Sequence, residues 1–199
     1  MKNLIFGGTF DPIHKGHLFA AKKAMMSYGF DGVTFIPAGN PWMKNYSITS
    51  SFHRLNMLKL AINSSPEFSV SDVEIQRGGP SYMIDTLLDM SKEKNKQEKF
   101  CILLGSDVLN DIHKWHKSVD LVKIANFFVI HRPGSANIDL NAIKVKFYDI
   151  DLEINVIKGD FSEVSSKEIR QRIKRGLSLT DMIPKSVEEY IKIKGLYDE

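Results

Sequence analysis

Two histidines three residues apart stand in the stretch Gly7-Gly8-Thr9-Phe10-Asp11-Pro12-Ile13-His14-Lys15-Gly16-His17. If the turn that follows Asp11-Pro12 is helical, both imidazoles lie on one face of it. Their N–H groups can then donate to phosphate oxygens, beside backbone amides that favour anions at a helix start. Taken alone, the pair would read first as surface or capping histidines.

Further groups able to do chemistry follow at wide spacing. Pro37-Ala38-Gly39-Asn40-Pro41-Trp42-Met43-Lys44 reads as a loop, or as one that projects Asn40 and Lys44 towards a ligand, Lys44 meeting phosphate as a point charge. Pro80-Ser81-Tyr82-Met83-Ile84-Asp85-Thr86 reads as a turn opening a helix. Asp107, after Gly105-Ser106, can cap a helix or accept hydrogen bonds from ribose hydroxyls. Trp115, taken alone, reads first as a core residue. His113 and His116 near Asp107 and Asp111 lack any cysteine cluster or His-Glu-x-x-His pattern. No metal held directly by side chains is expected. Ser165-x-x-Glu168 is a capping box, and the helix behind it offers amides, the hydroxyls of Ser165 and Ser166, and Arg170 to an anion.

Elements must bring these groups together. Residues 3–6 form a short apolar run suited to a buried parallel strand, broken by the two glycines. From Gly16 the pattern is helical, with Leu18, Ala21 and Met25 opposite Lys22 and Lys23. Strands are expected at 33–37, 100–104 and 127–130, extended chain at 68–75, an edge strand at 145–150 and a short one at 156–157. Helices are expected at 51–63, 82–90, 166–175 and 185–193, with another closing at 121–125. This alternation predicts an α/β fold: a Rossmann-like, doubly wound parallel sheet with helices on both faces. One domain, 1–199, with a small C-terminal helical part from about 162, accounts for the chain. Ligands on such sheets sit beyond the strand C-termini. That places residues 7–17, 37–44, 105–115 and 131–134 around one crevice.

Composition narrows the class. Of 199 residues, 43% are hydrophobic and 26% charged, which suits a globular domain with a real core. The net charge of +3 favours anionic ligands but does not imply nucleic acid. Cys101, the sole cysteine, excludes an intrachain disulfide and reads as a small core residue. No apolar stretch reaches membrane-spanning length and no signal-peptide core opens the chain, so a cytoplasmic protein without a membrane partner is expected.

Gly-Gly-Thr-Phe-Asp-Pro-Ile-His-x-Gly-His resembles the paired-histidine signature of the nucleotidylyltransferase superfamily. Val164-Ser165-Ser166-Lys167-Glu168-Ile169-Arg170 resembles its Ile-Ser-Ser-Thr-x-Ile-Arg motif, with Lys167 in place of threonine. Pro-Ser-Tyr-x-x-Asp-Thr-Leu and the pair Lys114-Trp115 are similar to one branch, the nicotinate-nucleotide adenylyltransferases. The resemblance implies adenylyl transfer from ATP to nicotinate mononucleotide, giving deamido-NAD and pyrophosphate, with Mg2+. It implies ATP binding by Gly7, Gly8, Thr9, Phe10, His14, His17, Gly105, Asp107, Ser165, Ser166 and Arg170. It implies acceptor binding by Asn40, Lys44, Tyr82, Met83, Thr86 and Trp115, and catalysis by His14, His17, Lys44 and Arg170. Met83 stands where that branch has threonine, and Trp42-Met43 where it more often has proline-histidine. Nicotinamide mononucleotide or phosphopantetheine as acceptor, or a non-catalytic nucleotide-binding module, are the alternatives. The partners implied are small molecules and not nucleic acid; a homo-oligomer is compatible with them.

Overall fold

In the computed structural model, which describes residues 2–43, 47–91, 98–131, 137–159, 161 and 164–198, the expected alternation becomes six parallel strands with helices between them. In chain order these are β1 (Asn3–Gly8), α1 (Lys15–Tyr28), β2 (Gly32–Pro37), α2 (Ser51–Ile62), β3 (Phe68–Val70), α3 (Val73–Arg77) and α4 (Met83–Ser91). There follow β4 (Phe100–Gly105), α5 (Ser106–Asn110), α6 (Ser118–Ile124), β5 (Ala125–Ile130), α7 (Leu140–Lys146), β6 (Ile154–Ile157), α8 (Ser166–Lys174) and α9 (Lys185–Lys194). The sheet order is β3-β2-β1-β4-β5-β6. The order reverses between β1 and β4, and the crevice of a doubly wound sheet opens at that point.

Alternate strand residues face opposite sides. Leu4, Phe6, Val33, Phe35, Leu103 and Phe128 pack with α1, α2, α8 and α9 in one core. Ile5, Ile36, Ile102, Leu104, Phe127 and Val129 pack with α4, α6 and α7 in another. The central strands are therefore apolar on both faces, which is why they read as continuous apolar runs.

Three expectations are corrected. Gly7 and Gly8 do not break the first strand; they pair with Ile36 and Pro37 as its last residues. Gly7 lies against Met83 instead: a Cβ there would fall 2.5 Å from Met83 Cε, the end of a side chain able to move aside. Residues 68–75 are extended only to Val70, after which α3 begins. Residues 145–150 form no strand. Ile143 and Phe147, four apart, are both buried on one side, and the Asp139 side chain caps α7 by accepting from Ala142 N–H at 2.9 Å. Helical spacing and a cap outweigh the strand-favouring composition there. The sheet edge is β6 instead.

Candidate active site

One end of the crevice is built from β1, the loop behind it and the start of α1. His14 is the N-cap of α1: its Nδ1 accepts from His17 N–H at 3.3 Å, and His17 Nδ1 accepts from His14 N–H at 3.3 Å. The rings stack with centroids 3.6 Å apart. Capping and ligand donation, alternatives in the sequence, thus become compatible. An acceptor Nδ1 assigns the proton of the neutral ring to Nε2, so each histidine is a donor on its far side. His17 lines the crevice and is packed edge-on by Phe6 and Phe10. His14 is buried at 2% exposure and backs it.

The serine–arginine motif of α8 meets the first motif. Ser166 Oγ donates to the Pro12 carbonyl at 2.9 Å, and Arg170 Nη1 donates to the Asp11 carbonyl at 2.6 Å. Ser165 caps α8 by accepting from Glu168 N–H at 3.2 Å. Glu168 does not complete the capping box; its carboxylate pairs with Arg172 Nε at 3.1 Å. Gly7, Gly8, Thr9, Phe10, His17, Ser166, Lys167 and Arg170 line one end of a crevice of about 660 Å³. Gly105, Asp107, Val108, Trp115, Met83 and Trp42 line much of the remainder.

One organising residue carries no sequence expectation. Arg54 of α2 is 1% exposed and donates to four backbone carbonyls: Thr49 at 2.8 Å through Nε, Thr9 at 2.8 Å through Nη1, and Ala38 and Gly39 at 2.6 and 3.3 Å through Nη2. It ties the loop after β1 to the loop after β2. Burial lowers its pKa, while the nearby Asp11, Tyr197 and Glu74 act to raise it. The available signal was its place on α2, four and eight residues before the buried Leu58 and Ile62.

The residues expected to bind an acceptor are spread more widely. Thr86 is wholly buried, donating to Glu74 Oε1 at 2.7 Å and accepting from Arg77 Nη1 at 3.1 Å. It braces α3 against α4 and does not reach the crevice. Thr86→Val should therefore lower stability by about 1–3 kcal/mol, because Glu74 loses its donor. The acceptor KM should stay within about twofold, as read by urea melts and initial rates. Tyr82 does not line the crevice either; its ring stacks on His116 at 4.2 Å and meets Trp42 edge-on at 5.7 Å. Asn40 is exposed, with its backbone paired to Ser81. Lys44 and most of 131–134 lie outside the described residues. Trp115 does line the crevice, and its indole N–H is buried without an acceptor among the described residues. At the mouth, the hydrogen bond from Lys114 holds the Asp111 carboxyl below its usual range.

The family model described as cytidylyltransferase-like matches residues 5–172. A probable nicotinate-nucleotide adenylyltransferase of Dehalococcoides mccartyi is 36% identical, covering 99% of this chain and 97% of its own. The nicotinate-nucleotide adenylyltransferase of Bacillus subtilis is 36% identical over 98% of this chain and 97% of its own. The Plasmodium falciparum nicotinic acid mononucleotide adenylyltransferase complexed with NaAD superposes with a TM-score of 0.78 at 26% identity, covering 100% of this chain and 98% of that one. The same enzyme complexed with APC gives a TM-score of 0.75 at 26% identity, with the same coverage of both chains.

Proposed function

Because this chain belongs to the nicotinate-nucleotide adenylyltransferases of the cytidylyltransferase-like family, we propose a division of labour within its crevice. The enzyme transfers the adenylyl group of ATP to nicotinate mononucleotide, a step in NAD biosynthesis. An oxygen of the mononucleotide phosphate bonds to the ATP α-phosphorus, the bond from that phosphorus to the bridging oxygen breaks, and pyrophosphate leaves. A phosphate dianion is already nucleophilic, so no general base or covalent residue is required. Catalysis is then alignment and stabilisation of charge moving onto the leaving group.

The observation that carries this assignment is the contact of α8 with the loop after β1. It gathers His17, Ser166, Lys167 and Arg170 at one end of the crevice. His17, Lys167, Arg170 and the backbone N–H of Ser166 take the triphosphate, with His14 fixing the His17 ring. Gly7, Gly8, Thr9 and Phe10 let the nucleotide approach the backbone, Ser165 orients α8, and Gly105 with Asp107 meets the nucleoside. Trp115 offers its face to the pyridine ring, with Met83 opposite Gly7; Asn40 and Lys44 complete the acceptor loop. Among the described residues, no group of three or more His, Cys, Asp or Glu is placed to hold a metal ion. An Mg2+ ion accompanying the nucleotide would supply charge neutralisation beside His17, Lys167 and Arg170. Among the described residues no helix is long and apolar enough to cross a membrane.

Pyrophosphate release with ATP and each of the acid and amide mononucleotides, side by side, tests the reading. Turnover on the acid form should exceed that on the amide. Faster turnover on the amide would reassign the acceptor, and ATP binding without turnover on any acceptor would favour a binding module.

A further inference from the structure

The turn after α9 reaches the loop that follows β1. The backbone reverses at Gly195, with φ +57, and Tyr197 takes φ +70, a region that L side chains rarely adopt. This carries the Tyr197 phenol to the Asp11 carboxylate, where it donates to Oδ1 at 2.7 Å. Asp11 is 2% exposed, and its Oδ2 accepts from Thr49 N–H at 3.4 Å. Its backbone carbonyl is the one that Arg170 holds. Burial, and then the Asp11 charge, push the phenol pKa well up, so the hydroxyl remains a donor at neutral pH.

Asp11 is an anion lining the end of the crevice that collects anion donors. A carboxylate there repels a triphosphate and competes for its donors unless something holds it aside. We infer that Tyr197 is a positioning residue for the triphosphate loop, its hydroxyl clasping Asp11 away from the nucleotide phosphates. The inference rests on the reading that the loop after β1 holds those phosphates. The clasp joins the turn after α9 to that loop, at the residue whose carbonyl Arg170 holds, so its effect falls on ATP.

Tyr197→Phe in the full chain removes the hydroxyl and keeps the ring. ATP affinity, measured by calorimetry, should fall about tenfold, the loss expected for one hydrogen bond to a charged group. The KM for ATP should rise in parallel, with the mononucleotide KM within about twofold of wild type. In an Asp11→Asn background the side chain is neutral, and adding Tyr197→Phe should change ATP affinity less than about twofold. A purely structural role would lower the melting temperature and leave this selectivity and this rescue unseen. Unchanged ATP affinity in Tyr197→Phe, or equal weakening of both substrates, overturns the clasp. Wild-type protein that binds no ATP overturns the phosphate-loop reading, and the clasp with it.

Discussion

His17→Ala should lower turnover about 10²–10³-fold, the loss expected when one preorganised donor to a developing negative charge is removed. The reason lies in the reciprocal cap. The backbone N–H of His14 fills His17 Nδ1 and turns its other nitrogen outward as a donor, and Phe6 and Phe10 lock the ring edge-on. Water entering the vacated space has no such alignment. The variant also gives up half of the cap, which should cost about 0.5–2 kcal/mol of stability. The two losses separate experimentally: the melt reports the cap, and turnover per folded molecule reports the donor. A variant that releases pyrophosphate at near wild-type rate would falsify the role given to His17.

Arg54→Met should produce the largest loss of stability, about 3–5 kcal/mol, comparable to breaking a buried ion pair by removing one partner. Methionine fills much of the volume but donates nothing. The carbonyls of Thr9, Ala38, Gly39 and Thr49 lose that donor, and Asp11 and Glu74 lose a neighbouring positive charge. Arg54→Lys should be only partly better, since an ammonium cannot span carbonyls from two loops with a planar fork. Both loops that Arg54 ties border the crevice, so activity should fall along with the denaturation midpoint. If Arg54→Met unfolds at the same urea concentration as wild type, the tie between the loops is not what orders the site.

The sheet is legible because its strands are short apolar runs bounded by turns, the pattern that burial on both faces demands. Of the helices flanking the crevice, α1, α4 and α8 are legible from spacing and caps, whereas α3 reads as extended chain and α5 carries no helical pattern. Residues 145–150 mislead because Val145, Phe147 and Tyr148 all favour extended chain. In the fold Val145 and Tyr148 are exposed, and the buried pair is Ile143 and Phe147, a helical interval that only the Asp139 cap makes decisive. Within the site, glycines, histidines and the serine–arginine helix are visible because their types already suit phosphate. Thr86 and Tyr82 read as acceptor residues, and the contacts they make with Glu74 and His116 are not visible in the sequence. A sequence shows a hydroxyl or a ring but not which side of its helix another element will occupy. Arg54 and Tyr197 escape notice for a related reason. The partners of Arg54 are backbone carbonyls, and that of Tyr197 is a carboxylate 186 positions away, contacts that no local pattern encodes.

The meeting of α8 and Tyr197 with residues 9–14 also orders events during synthesis. Pro12 and Asp11 leave the ribosome early, and the side chains that grip them, Ser166, Arg170 and Tyr197, follow 154, 159 and 186 positions later. A nascent chain that has already paired β1 with β2 and β4 holds the floor of the cleft but not its clamp. Completion of these contacts is thereby deferred until the segment beyond α9 has been translated.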